Sequence, residues 1–198
     1  MFIAVIIGII IYVYLLYILK KNNMSAFYFM LGSVGFLGFS MLLFYEYLAV
    51  VISKLILFLM GLIANVITIY DVYIDYNIIF INNAKSCISL YMDYECCGMI
   101  EILALTSIIL FHPLFDWKKR IVRLVVGFVW TCLANIMRLL SICVIIYNYG
   151  NDSYYIAHSI VGRIVFYVMT IILYYYMFSF GQIKTQRLGK FNYTKQES

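Results

Sequence analysis

Five residues with reactive or ionisable side chains lie in or beside strongly apolar stretches of the chain: Cys96, Glu101, Arg138, His158 and Arg163. Ionisable residues are costly inside a membrane, and by default they mark a functional site when they occur there. Cysteine, histidine and arginine together support acyl transfer. The thiolate attacks a carbonyl carbon, the histidine moves a proton and the arginine stabilises the negative oxygen.

The composition places these residues in a membrane protein. Of the 198 residues, 66% are hydrophobic and only 12% are charged. This excess excludes an ordinary soluble domain, and a single proline among long apolar runs favours helices over a β-barrel. We therefore expect an all-α fold, a polytopic helical bundle integral to the membrane.

Apolar windows of about 20 residues predict six transmembrane helices. They cover residues 2–19, 26–45, 55–70, 99–115, 124–147 and 154–180. The one long polar segment, residues 71–95, is predicted to be an extracytoplasmic loop with short strands, since Asn82 and Asn83 form a turn signal. The whole chain, residues 1–198, is predicted to be a single transmembrane domain that ends in a basic tail over residues 181–198.

Basic residues outside the predicted helices indicate the orientation, because cytoplasmic loops are enriched in Lys and Arg. With six helices, nine of them fall on one side: Lys54, Lys118, Lys119, Arg120, Arg123, Lys184, Arg187, Lys190 and Lys195. Three fall on the other side: Lys20, Lys21 and Lys85. This distribution predicts that both termini are cytoplasmic and that residues 71–95 face outward, although Lys20 and Lys21 do not fit it.

On that orientation the candidate catalytic groups converge near the outer face. Cys96 and His158 lie near the outer ends of the fourth and sixth predicted helices. Arg138 precedes Tyr147 by nine residues, which places it about 14 Å below the outer end of the fifth helix. We expect the three side chains to meet in a cleft in the outer leaflet.

These residues resemble the motifs of the exosortase/archaeosortase family of membrane-embedded cysteine transpeptidases. The family pattern is Cys-(Ser/Ala)-Gly at the start of a helix, Asn-x-x-Arg in a following helix and a later His. The corresponding residues here are Cys96-Cys97-Gly98, Asn135-Ile136-Met137-Arg138 and His158. The resemblance covers residues 90–170, and in length the chain is similar to the short exosortase-like proteins of Gram-positive bacteria.

The resemblance implies that Cys96 is the nucleophile, His158 the general acid and base, and Arg138 the group that stabilises the oxyanion. The chain departs from the pattern after the motif cysteine, where Cys97 replaces a small Ser or Ala. Cys97 is therefore an alternative nucleophile.

Four residues are expected to support the site. Gly98 allows close packing and keeps the cysteine accessible, and Asn135 shares a helix face with Arg138 and is expected to orient it. Glu101 and Arg163 are expected to form a buried pair or to contact a substrate carboxylate.

Structural interpretations of the same residues stay open at this point. Cys96 could be inert packing in a helix, and Arg138 could pair with Glu101 or hold backbone carbonyls. His158 could be a hydrogen-bonded residue at a helix end. No metal is predicted, because the Cys and His residues lack zinc-like spacing, and no cofactor is needed.

The resemblance also implies a substrate class and a location. The substrates would be exported proteins with a C-terminal sorting signal that comprises a short motif, a transmembrane helix and a basic cluster. This membrane protease or transpeptidase would cut them at the outer face of a bacterial cell membrane, through a thioester, and transfer them to an acceptor. Some members of the family are linked to exopolysaccharide and surface export.

The alternative is a non-catalytic accessory subunit of a polysaccharide export or glycosyltransferase complex. Such a subunit would use the intramembrane charges to bind another helix and would tolerate loss of the thiol. The net charge of +5 is spread over the cytoplasmic loops of the predicted topology. It reflects membrane topology rather than nucleic-acid binding, and the basic tail is expected to lie near anionic membrane lipid.

Overall fold

The fold is a bundle of long apolar helices that carries a small antiparallel sheet at one end. The computed structural model describes residues 2–67, 69–83, 86–92, 96–113 and 115–179. The elements in chain order are α1 (Phe2–Lys21), α2 (Ser25–Ala64), β1 (Tyr70–Tyr73), β2 (Ile78–Asn83), β3 (Ser86–Tyr91), α3 (Met99–Phe111), α4 (Trp117–Tyr149) and α5 (Gly162–Tyr174). A π-helical turn, Ile156–Val161, leads into α5.

Helix length and composition confirm the predicted class, an all-α polytopic membrane protein. Within the described residues, three helical segments are long and apolar enough to cross a membrane: Ser25–Ala64, Trp117–Tyr149 and Asn151–Phe178. Helix α3 is equally apolar but shorter, and α1 is an apolar helix of 20 residues.

Helix α2 corrects the prediction that residues 26–45 and 55–70 form two separate transmembrane helices. It is continuous over 40 residues, which corresponds to about 60 Å, or about twice the thickness of a hydrocarbon core. Its first half carries no charge, and Glu46 and Lys54 occur only in the second half. One crossing requires only about half of this helix, and the charge-free half suits it best. We refer to the second half, which extends to the sheet, as the projecting half.

The sheet covers the projecting half of α2. Strands β1, β2 and β3 are antiparallel in that order, and Ile81 of β2 pairs with both Tyr70 and Ile88. Ile79 and Ile81 are fully buried in one cluster with Ile56 of α2. These strands lie in the segment predicted as the polar loop, of which Lys85 is outside the described residues.

Tyr70 ties the sheet to α2 by a hydrogen bond. Its hydroxyl donates to the carbonyl oxygen of Met60 at 3.0 Å. Burial raises the pKa of Tyr70 to about 12, so the hydroxyl stays protonated and keeps donating this bond at neutral pH.

The helices are arranged so that two basic turns lie at the same end of the bundle. Helices α1 and α2 form an antiparallel hairpin in which the Tyr12 hydroxyl donates to the Gly32 carbonyl at 2.7 Å. Helix α3 ends beside the start of α2, where the rings of Phe29 and His112 lie 5.8 Å apart. The α1–α2 turn, with its lysines, therefore lies beside the α3–α4 turn.

This arrangement corrects the predicted topology. Lys20 and Lys21 lie at the same end as Lys118 and Arg120, not opposite to them, and Lys54 is exposed on the projecting half of α2 at the other end. The described helices thus traverse the bundle five times, which favours five membrane passes over six, and the first residue of α1 lies at the end that carries the sheet. The basic residues of the tail lie outside the described residues.

Cysteine labelling tests the five-pass topology. Single cysteines at Lys54 and Tyr76 are expected to react with an impermeant maleimide from one side of sealed vesicles, and cysteines at Asn23 and Trp117 from the other. Labelling is measured in sealed vesicles of both orientations. The wild-type chain, with its native cysteines, gives the background labelling. The six-pass topology requires the opposite result, in which position 54 is labelled together with position 117.

Candidate active site

The turn between β3 and α3 carries Cys96, and three neighbouring side chains converge on it from α4 and from the π-helical turn. Cys96 is 8% exposed. Gly98 is the residue before α3 and adopts a left-handed backbone conformation with φ of 72°. This conformation is unfavourable for residues with a Cβ atom, which explains why a glycine ends the turn.

His158 lies within hydrogen-bonding distance of the Cys96 thiol. Its Nε2 atom is 3.2 Å from Cys96 Sγ. The histidine belongs to the π-helical turn Ile156–Val161, a type of helix distortion that is frequent at functional sites. The Tyr154 ring stacks on the imidazole with ring centroids 5.7 Å apart, which restricts the orientation of the histidine.

Arg138 approaches the same sulfur from α4. Its Nη2 atom is 3.8 Å from Cys96 Sγ, and the guanidinium lies 5.9 Å from the centre of the Phe166 ring. Arg138 is 7% exposed, and within the described residues its Nε atom has no hydrogen-bond partner. A buried guanidinium at this distance stabilises negative charge on sulfur or on an atom bonded to it.

Two independent lengths give the distance of this site from the basic end of the bundle. Helix α3 has 13 residues and rises about 20 Å from the basic end. In α4, Arg138 lies 14 residues after Leu124, where the apolar run begins, and this corresponds to about 21 Å. Both lengths place the site about 20 Å from the basic end of the bundle.

Asn135 holds the backbone of Cys96 instead of the Arg138 guanidinium. It is fully buried, and its Nδ2 atom donates to the Cys96 carbonyl oxygen at 2.9 Å. The sequence predicted that Asn135 orients Arg138, but within the described residues Asn135 Oδ1 has no hydrogen-bond partner. Asn135 therefore positions the turn that carries Cys96.

Cys97 points away from the cleft. Its side chain is fully buried in the hydrophobic core with Met99 and Ile142. A thiol that a substrate cannot reach does not act as a nucleophile. The geometry thus favours Cys96 over the alternative nucleophile.

The thiol opens into a cleft of about 260 Å³. The lining residues are Cys96, Ile100, Glu101, Arg138, His158, Arg163, Phe166 and Tyr167. Glu101 and Arg163, two of the four predicted supporting residues, therefore both line the cleft. In the described part of the chain, Glu101 forms no ion pair with Arg138 or Arg163, so the expected buried pair is not seen.

Several aromatic contacts of this site were not predicted from the sequence. Phe166 faces the guanidinium, Tyr154 stacks on His158 and Tyr167 lines the cleft. Tyr154 and Phe166 lie four residues before and eight residues after His158, positions that share its helix face. This spacing from His158 is the sequence pattern that could have predicted Tyr154 and Phe166 as residues of the site. Among the described residues, no group of three or more His, Cys, Asp or Glu side chains is arranged to hold a metal ion.

Comparison with known proteins identifies the family. The sequence profile of the transmembrane exosortases matches residues 1–175. The chain belongs to this family. No curated protein matched it, and no solved structure did. The match extends well beyond residues 90–170, the region that carries the motifs, and includes the α1–α2 hairpin and the sheet of this exosortase.

Replacement of Gly98 tests the turn that carries the thiol. Gly98→Ala is expected to lower the free energy of unfolding by about 1–2 kcal/mol, because alanine is strained at this positive φ. The new Cβ would also lie 3.4 Å from Asn135 Nδ2. Thermal unfolding in detergent gives the measurement. The control is Gly38→Ala in α2, where a Cβ meets no atom within 4 Å, and equal stability of the two variants would contradict the prediction.

Proposed function

We propose that this exosortase is a cysteine transpeptidase that cleaves the C-terminal sorting signal of exported proteins. The observation that supports this proposal is the placement of one sulfur, Cys96 Sγ, beside both His158 Nε2 at 3.2 Å and Arg138 Nη2 at 3.8 Å. A nucleophile, a proton carrier and a cation are the groups that acyl transfer through a cysteine requires.

In the first half of the reaction, His158 accepts the thiol proton and the Cys96 thiolate attacks the carbonyl carbon of the scissile peptide. A sulfur–carbon bond forms, and the carbonyl oxygen takes the negative charge, which Arg138 stabilises. The peptide carbon–nitrogen bond then breaks as His158 returns the proton to the leaving amine. The products are a thioester on Cys96 and the released sorting helix.

In the second half, an acceptor nucleophile resolves the thioester. His158 removes a proton from the incoming amine or water, which attacks the thioester carbon. The carbon–sulfur bond breaks, and the proton returns to the thiolate of Cys96. Neither half of the reaction requires a reactant other than the thiol, the substrate and the acceptor.

The surroundings of the cleft suit a substrate that is itself embedded in the membrane. Ile100 and Tyr167 line the cleft and are 40% and 58% exposed. At the depth of the site these side chains face lipid, so a transmembrane segment can approach sideways without passing through water. The cleft also offers Arg163 and Glu101 for contacts with polar groups of the sorting motif.

The orientation follows from the positions of the basic residues. With five passes, Lys20 and Lys21 join the cations of the α3–α4 turn at one end of the bundle. Because cytoplasmic loops are enriched in Lys and Arg, this distribution supports an orientation with this end in the cytoplasm. The cleft then lies near the outer face of a bacterial cell membrane, where exported proteins arrive.

Loss of processing in variants tests the proposed reaction. We expect Cys96→Ala to abolish cleavage and His158→Ala to lower its rate by about 10²–10⁴-fold. Arg138→Gln is expected to lower it by about 10²–10³-fold, as for loss of an oxyanion donor. Cys97→Ala is the matched control and should retain cleavage. The measurement is mass spectrometry of the C-termini of exported membrane-anchored proteins, at matched expression.

The outcomes separate the two functional hypotheses. If cleavage depends on Cys97 instead of Cys96, the assignment of the nucleophile is wrong. If no C-terminus changes in any variant while deletion of the whole chain alters surface export, the accessory-subunit hypothesis is favoured.

Alkylation of the purified protein tests the site without a substrate. Iodoacetamide should modify Cys96, which lines the cleft beside Arg138, faster than Cys97, Cys132 or Cys143, which do not line it. Arg138→Gln should slow the modification of Cys96 because a neighbouring cation that favours the thiolate is lost. Peptide mapping gives the rates. The prediction fails if Cys96 and Cys143 react equally fast in the folded protein.

A further inference from the structure

A second cavity lies at the basic end of the bundle, far from the cleft. Its volume is about 350 Å³, and the α1–α2 turn and the α3–α4 turn both contribute to its walls. The polar lining comprises Lys20, Asn23, Ser25, Tyr28, His112 and Arg120. The proposed reaction uses none of these residues.

The lining of this cavity is suited to an anion. Lys20 and Arg120 reach it from separate helical hairpins, and no acidic side chain lies among its lining residues. Helix α2 begins at Ser25, beside the cavity, and no side chain caps its N-terminus. The first-turn amides of a helix carry partial positive charge, which adds to the charge of the two cations.

The Arg120 guanidinium is fixed in place before any ligand binds. Its Nη2 atom donates to the carbonyl oxygens of His112 at 3.1 Å and Phe115 at 3.3 Å. The Trp117 ring lies 5.5 Å from the guanidinium carbon. Because both hydrogen bonds are donated by one nitrogen, the guanidinium retains N–H groups for an anion. An arginine held in this way loses little conformational entropy on binding.

The position of the cavity identifies the class of ligand. It lies where the apolar runs of α1, α2 and α3 end, at the level of lipid headgroups, and part of its lining is apolar, including Leu19 and Phe111. Phe27, in the first turn of α2, is 59% exposed and provides an apolar surface there. We propose that the cavity binds a phosphate group, supplied by the headgroup of an anionic phospholipid whose acyl chains lie along α2.

Such a lipid would link the two hairpins. Helix α1 packs mainly against α2, so a phosphate held between Lys20 and Arg120 adds a contact between the α1–α2 hairpin and the α3–α4 turn. Lipid composition would then change the stability of the bundle.

Lipid binding to the purified full-length chain tests the proposal. We expect native mass spectrometry to detect one phosphatidylglycerol per chain and no comparable retention of phosphatidylcholine. Phosphatidylglycerol should also raise the unfolding temperature by about 3 °C over phosphatidylcholine. Lys20→Gln should weaken binding about fivefold, the effect of removing one cation near a membrane surface.

Lys21→Gln is the matched control, because Lys21 is the next residue on the same helix and does not line the cavity. Equal weakening by Lys20→Gln and Lys21→Gln, or no preference for phosphatidylglycerol, would overturn the proposal. Arg120→Gln is expected to weaken phosphatidylglycerol binding in the same way as Lys20→Gln. If the Arg120 variant fails to fold, the result for Lys20→Gln decides the test. Competition by millimolar inorganic phosphate would support the phosphate site and assign a free anion as its occupant.

Discussion

The buried guanidinium of Arg138 is the constraint on which the rest of the structure depends. A charge at this depth is costly unless other groups compensate for its lost hydration. Here the compensating neighbours are a polarisable sulfur at 3.8 Å and the face of an aromatic ring at 5.9 Å. Neither is a formal anion, so the guanidinium remains available for negative charge that develops during a reaction. A carboxylate partner would have neutralised it permanently.

The two longest helices are longer than one membrane crossing requires, and their extra length supports the turn that carries Cys96. Helix α2 continues past its charge-free half, and α4 continues 11 residues past Arg138. Their ends nearest the sheet bury Ile56, Ile142 and Ile146 against it. The chain leaves β3 and enters α3 through the turn that contains Cys96, so this packing fixes the position of Cys96.

The sequence was sufficient to predict the membrane class and to select Cys96, Arg138 and His158 as candidates, because ionisable groups are conspicuous among apolar residues. It was not sufficient to predict that residues 55–64 extend helix α2 instead of forming part of a separate transmembrane helix. Ile56, Leu57 and Met60 are apolar because they pack against the sheet, and hydropathy alone does not distinguish protein contact from lipid contact. Lys20 and Lys21 did not fit the orientation predicted from six helices. They were the indication in the sequence that the predicted number of passes was too high.

The sequence was likewise not sufficient to predict the hydrogen-bond partner of Asn135. A spacing of three residues correctly placed Asn135 and Arg138 on one helix face, but two side chains on one face need not bond to each other. The acceptor of the Asn135 amide is the Cys96 carbonyl, which comes from a segment distant in sequence. No local pattern predicts this contact, because it depends on how α3 docks against α4.

The α3–α4 hairpin is closed at both ends by bonds from side chains of α4 to the backbone at each end of α3. At the basic end Arg120 binds the carbonyls of His112 and Phe115, and at the other end Asn135 binds the carbonyl of Cys96. These bonds oppose sliding of one helix along the other. Since Sγ belongs to the segment before α3 and Nη2 to a residue of α4, the same bonds set the distance between thiol and guanidinium. The geometry of the cleft thus depends on a polar contact at the far end of the bundle as well as on its own residues.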